Sequence, residues 1–161
     1  MGKKRTYREF KQGIFKPKNL NKVLNKDPIV YRSGLELSVM MALDKYDVVK
    51  KWGSEFDIIP YYNPVKGGPA RYFIDFTLVV ETQGKFQVWL VEVKPKKQIE
   101  APTINKNKKQ STVIYEQAMY AVNKAKWDAA EKYASTKGWF FTTMSEDNIE
   151  TFLSMFKTKD K

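Results

Sequence analysis

Two acidic residues and a lysine lie in or beside apolar segments of this chain. Residues 86–93, F-Q-V-W-L-V-E-V, predict a buried strand, yet Glu92 stands near its end and Lys94 follows two residues later. Side chains of a strand alternate between its faces, so Glu92 and Lys94 point the same way. A second predicted strand, residues 72–80, carries Asp75. Charged groups in such strands are paired, bind a metal ion, or lie where the sheet opens.

A hairpin between the two strands would bring the acids together. The connection E-T-Q-G-K places Gly84 at a left-handed turn position, and a turn centred on Gln83 and Gly84 sets Asp75 opposite Glu92. Two adjacent carboxylates repel each other, and a divalent cation between them removes that repulsion. Mg²⁺ suits carboxylate oxygens and keeps water ligands, while Lys94 could orient or deprotonate a water or stabilise charge on a phosphate. The spacing is that of a compact site for phosphodiester hydrolysis.

The same three residues also fit a purely structural interpretation. Glu92 and Lys94 would then form a polar stripe on a half-exposed sheet, with Asp75 paired to Lys94. Three features favour the metal site: the apolar setting of both strands, the basic composition of the chain, and the helix predicted upstream of them.

Composition narrows the classes of function. The chain has 161 residues, which suits one domain, and its 29 Lys and Arg against 18 Asp and Glu give a formal charge of +11. This balance favours a polyanionic partner, nucleic acid first and an anionic membrane surface second. No apolar run approaches the ~18 residues of a membrane span, and no apolar signal core follows the N-terminus, so we expect a cytosolic protein.

Cys and His are absent from the sequence, and each absence excludes a class of catalytic or metal site. Without Cys there is no disulfide and no thiolate zinc site. Without His there is no Ser-His-Asp triad, no His-metal nuclease and no imidazole base. An enzyme built from this sequence would work with carboxylates, Lys, Tyr and a hard metal ion.

The elements that must position these residues alternate between helix and strand. Basic residues 1–28 predict an arm, either a solvated tail or one that follows phosphates; residues 29–157 predict a single domain and residues 158–161 a charged tail. The domain's pattern predicts helices over 33–46, from about 111 to 137, and 146–156, strands over 48–52, 55–59, 72–80, 86–93 and 139–143, and a loop over 60–69. This order predicts an α/β fold with a mixed sheet and helices packed on it.

The first predicted helix begins with R-S-G-L-E. Ser33 as N-cap with Glu36 three residues later is a capping box, which by itself explains Glu36, and Arg32 is then an ordinary surface residue. In the functional interpretation Glu36 points to the metal as another ligand, while Arg32 and Ser33 meet a phosphate. The residues alone leave both interpretations open.

Three motifs together resemble the PD-(D/E)xK nuclease superfamily: R-S-G-L-E, then I-D-F, then V-E-V-K. The combination is similar to phage Holliday-junction endonucleases and to TnsA-type transposon endonucleases. The later runs Y-E-Q-A-M-Y-A-V-N-K-A-K-W-D-A-A and G-W-F-F-T-T-M-S-E resemble the head completion nucleases of large contractile-tailed phages. The resemblance covers roughly residues 30–147.

The resemblance implies a restriction-endonuclease-like core, with a mixed central β-sheet flanked by helices. It implies Mg²⁺-dependent DNA cleavage by an endonuclease or an exonuclease, with Mn²⁺ as a substitute metal. It also implies that this cleavage trims packaged DNA during head completion, before tail joining. Carried over by position, Asp75 and Glu92 are metal ligands, the Val93 carbonyl a third, Glu36 the acid from the helix and Lys94 the catalytic lysine. Where the superfamily usually has Pro before the Asp, this chain has Ile.

Further residues are candidates for contact with the DNA backbone. Gln117 and Tyr120 resemble the helical Q-x-x-x-Y feature of the superfamily with one spacer fewer. Lys124 and Lys126 either contact phosphates or form a solvated helix face. The candidate DNA-binding residues are Arg32, Ser33, Lys96, Lys97, Gln117, Lys124 and Lys126.

The expected partners are double-stranded DNA and, through the resemblance, phage head or portal proteins, with no membrane. The expected location is the host cytoplasm, with incorporation in the virion as an alternative. Three rival interpretations stay open: a non-catalytic DNA-binding head-neck structural protein, a junction-resolving or TnsA-type endonuclease, and a basic RNA-binding module.

Overall fold

A mixed four-stranded sheet forms the centre of the computed structural model, which describes residues 12–156. The strands are β1 Gly13–Phe15, β2 Ile29–Tyr31, β3 Val49–Ser54, β4 Ile58–Asn63, β5 Gly68–Phe73, β6 Phe76–Thr82, β7 Lys85–Val93 and β8 Phe140–Met144. The helices are α1 Gly34–Lys45, α2 Lys96–Ile99, α3 Gln110–Thr136 and α4 Ile149–Ser154, with a 3-10 turn at Leu20–Lys22. The α/β fold predicted from the sequence is confirmed.

The central sheet has the order β3-β6-β7-β8. The β3–β6 and β6–β7 pairs are antiparallel, and β7 pairs with β8 in parallel. Parallel neighbours need a long crossover, and the 27-residue helix α3 supplies it. Because α1 and α4 cover one face of the sheet and α3 covers the other, β7 is apolar on both faces, which is why residues 86–93 predict a buried strand.

The hairpin between β6 and β7 has the register predicted from its turn. Thr82 pairs with Lys85 and Phe76 pairs with Val91, with no shift between these pairs. Gln83 at φ 52° and Gly84 at φ 75° both lie in the left-handed region, as a two-residue hairpin turn of type I′ requires. The next step of this register sets residue 75 against residue 92.

The strand predicted over residues 72–80 is wrong, because the chain breaks there. Residues 68–73 form β5, which pairs with β4 in a separate two-stranded sheet, and β6 begins only at Phe76. The break falls at Ile74 and Asp75. Ile74 is fully buried, so the apolar run of the sequence continues into the break and gives no sign of it.

Other boundaries also differ from the sequence prediction, among them the strand predicted over residues 55–59, since β4 begins only at Ile58. The loop predicted over residues 60–69 is mostly the β4–β5 hairpin. A short helix, α2, interrupts the segment before α3, and α4 is shorter at both ends than predicted. The end of α3 is as predicted, with Gly138 at φ 71° directly after the C-cap Lys137.

Helices cover the two faces of the central sheet in separate layers. On one face, Val39 and Leu43 of α1 pack with Phe76 and the α4 residues around Leu153. On the other face, Ala130 and Ala134 of α3 pack with Leu90 of β7, with Ile74 and with Tyr72 of β5. Glu92 follows Leu90 by two residues and therefore points toward the α3 face.

Residues 12–28 of the predicted basic arm pack against the domain. β1 pairs with β2, and the Asp44 carboxylate accepts hydrogen bonds from the N–H groups of Lys18 at 2.9 Å and Asn19 at 3.1 Å. The Lys22 ammonium donates to the carbonyls of Leu43, Asp44 and Tyr46. The last carbonyls of a helix lack partners within it, and a cation there also suits the helix dipole. The rest of the predicted arm, residues 1–11, and the predicted tail lie outside the described residues.

We expect Asp44→Ala to lower the free energy of unfolding by about 1–3 kcal/mol, because two N–H groups lose their acceptor. The matched control is Glu81→Ala, which removes an exposed acid paired with Lys50 at 3.5 Å and should change stability by less than about 0.5 kcal/mol. Urea unfolding of the three proteins measures both values. Equal losses would contradict the role assigned to Asp44.

Candidate active site

Asp75 and Glu92 lie side by side on the α3 face of the sheet. Asp75 is at the break between β5 and β6, one register step beyond the Phe76–Val91 pair. Its Oδ2 accepts a hydrogen bond of 2.8 Å from the Val93 N–H. The bond fixes the Asp75 side chain against the end of β7, beside the buried Glu92.

The negative charge of Asp75 is disfavoured in this position. Burial and, next, the Glu92 carboxylate raise the pKa of Asp75 well above its ordinary value, while the bond from the Val93 N–H opposes that rise. Glu36 also contributes to the increase, at longer range. A group with a raised pKa holds its negative charge unfavourably, so the pair is suited to a cation.

Lys94 completes the group. Its Nζ lies 3.6 Å from Glu92 Oε1, and its N–H donates to the Met144 carbonyl of β8 at 2.9 Å. The structural alternative paired Lys94 with Asp75, but its ion pair is with Glu92. The backbone bond holds Lys94 beside the acids although it stands just after β7 ends.

The capping box at the start of α1 is present. The Glu36 N–H donates to Ser33 Oγ at 3.1 Å, and the Arg32 N–H donates to Glu36 Oε2 at 2.9 Å. The Arg32 guanidinium donates to the carboxylate of Glu55, which raises the pKa of Arg32. Ser33 and Arg32 therefore have structural partners. A phosphate contact by either stays a prediction.

Glu36 does not join Asp75 and Glu92 in a three-carboxylate group. No three acidic side chains come close enough to hold a metal ion anywhere in residues 12–156. Glu36 nevertheless lies near enough for its charge to help raise the pKa of Asp75. Roles for Glu36 and the Val93 carbonyl as metal ligands stay predictions.

Sequence reasoning missed Tyr72. Its hydroxyl donates a hydrogen bond to Glu92 Oε2, although the two residues belong to different sheets. Burial, followed by the Glu92 charge, raises the pKa of Tyr72 above its ordinary value, so the hydroxyl remains a donor. No sequence signal marks the contact, because it depends on the break after β5.

Lys126 reaches the same group from α3. Its Nζ lies 5.4 Å from the centre of the Tyr72 ring and 5.9 Å from that of Tyr61. Burial lowers the pKa of Lys126, and the charge of Glu92 partly offsets this. Lys126 is therefore half-buried near the acids, and a phosphate contact by Lys126 stays a prediction.

The other predicted DNA contacts are spread over the surface around the site. Lys96 and Lys97 are exposed on α2, and Gln117 and Lys124 are exposed on α3. A cleft of ≈ 620 Å³ separates the segment after β7 from α3 and opens beside Lys94. Its lining also includes Lys97, Tyr115, Tyr120 and the buried Asn123.

The donor atoms fit a hard divalent cation. Asp75 and Glu92 offer carboxylate oxygens, and this sequence has no Cys thiolate and no His imidazole to offer instead. Mg²⁺ is typically held by one or two carboxylates, with water and phosphate oxygens completing its coordination. A pair of acids, rather than a cage of three, is therefore sufficient.

Comparisons with known proteins agree with this geometry. Residues 46–146 match the family model described as "TnsA-like endonuclease N terminal". The chain is 34% identical over 145 residues to a protein named "Head completion nuclease" of Enterobacteria phage T4, and the match covers 85% of this chain and 92% of that protein. The family match contains Asp75, Glu92 and Lys94 and begins after Glu36. The nuclease resemblance and the restriction-endonuclease-like core predicted from the sequence are confirmed.

We expect Asp75→Asn to raise the melting temperature of the metal-free protein by a few degrees at neutral pH. Asparagine keeps an acceptor for the Val93 N–H but removes the charge that Glu92 repels. A domain of this size shifts by about 2–4 °C per kcal/mol. The raised pKa means that the folded state binds the Asp75 proton more tightly than the unfolded state does. The parent is therefore destabilised as pH rises, and the difference should shrink toward acid pH.

Melting in the presence of EDTA from about pH 4 to 8 measures this difference. Glu81→Gln is the control, because it neutralises an acid of the same hairpin that is paired at the surface. A melting temperature for Asp75→Asn at or below that of the parent at neutral pH would contradict the repulsion.

Proposed function

Because the chain belongs to the family of TnsA-like endonuclease N-terminal domains, we propose that it is a metal-dependent nuclease that hydrolyses phosphodiester bonds of double-stranded DNA. The observation that carries the proposal is the juxtaposition of Asp75, Glu92 and Lys94 at one end of the β6–β7 pair. Two adjacent acids, of which Asp75 has a raised pKa, with a lysine beside them in an otherwise apolar sheet are typical of a functional site.

Asp75 and Glu92 would hold Mg²⁺, or Mn²⁺ in its place, with the Val93 carbonyl and Glu36 as further candidate ligands. When bound, the ion would supply positive charge at the scissile phosphate and a more acidic water. Lys94 would orient that water or stabilise the charge that develops on the phosphate. The Met144 carbonyl holds the Lys94 backbone in place for either role.

DNA binding would rest on phosphate contacts. The formal charge of +11 provides the attraction, and Lys97 of α2 lines the cleft beside Lys94. We propose Lys96, Lys97, Gln117 and Lys124 as backbone contacts, with little reading of base sequence. Arg32 and Ser33 would join them at the start of α1.

The proposed biological role is the trimming of packaged DNA in phage head completion before tail joining. Its support is the name of the T4 relative and the length over which the two chains align. The role implies contact with head or portal proteins, and a location in the host cytoplasm or in the virion. No helix within the described residues is long and apolar enough to cross a membrane.

A junction-resolving or TnsA-type endonuclease is the second candidate, and the family match favours it specifically. It shares the chemistry and differs in the DNA structure that it cuts. Cleavage of a four-way junction at least about tenfold faster than a linear duplex of the same sequence would favour this candidate.

We expect supercoiled and linear DNA to be cut in Mg²⁺, but not in EDTA and not by Asp75→Ala. Lys94→Ala should lose about 100-fold or more in rate, as expected for a group acting in proton transfer. Glu81→Ala, which removes an acid of the same hairpin away from the site, should cut like the parent. A cleanly folded parent that binds DNA and cuts neither substrate would overturn the nuclease in favour of a structural DNA-binding protein.

We expect Lys126→Met to slow cleavage by about tenfold or more, equivalent to ~1.4 kcal/mol of lost transition-state stabilisation. Methionine keeps an unbranched apolar stem of similar size and removes only the charge that faces Glu92. Lys132→Met is the matched control, since Lys132 is an exposed lysine of the same helix to which no DNA contact is assigned. Single-turnover rates at saturating DNA separate the chemical effect from binding. Equal rates for the two variants would contradict a place for Lys126 in the site.

A further inference from the structure

The Tyr72 hydroxyl is buried against one particular carboxylate oxygen. Tyr72 is 3% exposed and stands one residue before the end of β5. Its ring lies in the apolar cluster under α3, but its hydroxyl crosses to the central sheet and donates to Glu92 Oε2. A ring alone would fill this space, so the hydroxyl needs a separate explanation.

The bond fixes how Glu92 presents its carboxylate. Glu92 is 4% exposed, and burial of a carboxylate is unfavourable unless donors satisfy its oxygens. Tyr72 satisfies Oε2, while Oε1 faces the Lys94 ammonium at the longer distance of 3.6 Å. Asp75 has a similar contact, because its Oδ2 accepts a hydrogen bond from the Val93 N–H. Each acid thus has one oxygen that accepts a hydrogen bond from the protein, and Glu92 Oε1 has the longer contact with Lys94.

Lys126 in turn favours the position of the Tyr72 ring. Its ammonium lies 5.4 Å from the ring centre, within the range of a cation–π interaction. No carboxylate lies within ion-pair distance of Lys126 in the part of the chain that the structure describes. The ring therefore lies between a cation on α3 and a carboxylate on β7.

We propose that Tyr72 is a positioning residue for the metal site, which holds Glu92 so that Oε1 faces the incoming ion. The inference rests on the proposed function, because it assumes that Asp75 and Glu92 bind a divalent cation. Groups that hydrogen-bond to a metal ligand fix its orientation, and their loss typically weakens metal binding or activity by about 10–100-fold. Tyr72 would then act on the ion without touching it.

The test compares Tyr72→Phe with Tyr61→Phe. Both changes remove one hydroxyl from a ring beside Lys126, but the Tyr61 hydroxyl makes no side-chain hydrogen bond within residues 12–156. Calorimetric titration with Mn²⁺, without DNA and at a temperature where melting curves show all three proteins folded, measures metal affinity directly. We expect affinity to fall about 10–100-fold in Tyr72→Phe and to change less than about twofold in Tyr61→Phe.

Cleavage gives a second readout. In Tyr72→Phe the Mg²⁺ concentration for half-maximal rate should rise in proportion to the loss of affinity, and saturating Mg²⁺ should restore most of the rate. Unchanged Mn²⁺ affinity in Tyr72→Phe, with or without a lower melting temperature, would overturn the inference and leave the nuclease standing. Equal losses in both variants would overturn it as well. A parent protein that neither binds Mn²⁺ nor cuts DNA would overturn the proposed function, and this inference with it.

Discussion

The arrangement of the site depends on the repulsion between two carboxylates that the backbone holds side by side. Hairpin register alone sets residue 75 opposite residue 92, and the Val93 N–H then fixes Asp75 there. The protein does not remove the repulsion by pairing each acid with its own lysine, since within residues 12–156 the ion pair of Lys94 is with Glu92. A fold that tolerates this arrangement gives up some stability at the place where it could bind a cation.

The break at Ile74 and Asp75 is what makes the arrangement possible. A continuous strand over residues 72–80 would keep Tyr72 and Asp75 within one sheet, on opposite faces. Because β5 instead leaves the central sheet for β4, the Tyr72 hydroxyl reaches the same carboxylate that Asp75 opposes. The break at the end of β5 thus brings Tyr72 and Asp75 to the same carboxylate, which a continuous strand would not do.

Sequence patterns predicted the regular part of this structure well. The register of the β6–β7 hairpin followed from turn chemistry at Gln83 and Gly84, and the caps of α1 and α3 followed from Ser33 and Gly138. The juxtaposition of the acids is a direct consequence of that register.

These local patterns do not predict contacts between elements that are distant in sequence. The break after β5 has no signal, because Ile74 keeps the apolar run intact. The Tyr72 contact with Glu92 depends on that break, and the place of Lys126 depends on how α3 packs across the sheet. Glu36 illustrates the converse, since the capping box that it forms with Ser33 is local in sequence and was predicted.

The two lysines of the site lie on different elements, Lys94 at the end of β7 and Lys126 on α3, and both elements are held firmly in the fold. Lys94 is held by β8 and Lys126 by a helix packed on the sheet, while the chain between α2 and α3 runs along the rim of the cleft. Surface connections of this kind change length and sequence more readily than the elements they join. Related chains could therefore diverge in this segment, and so in the DNA shapes they accept, while both lysines stay where they are. The range of DNA substrates would then change during evolution without a change in the catalytic residues.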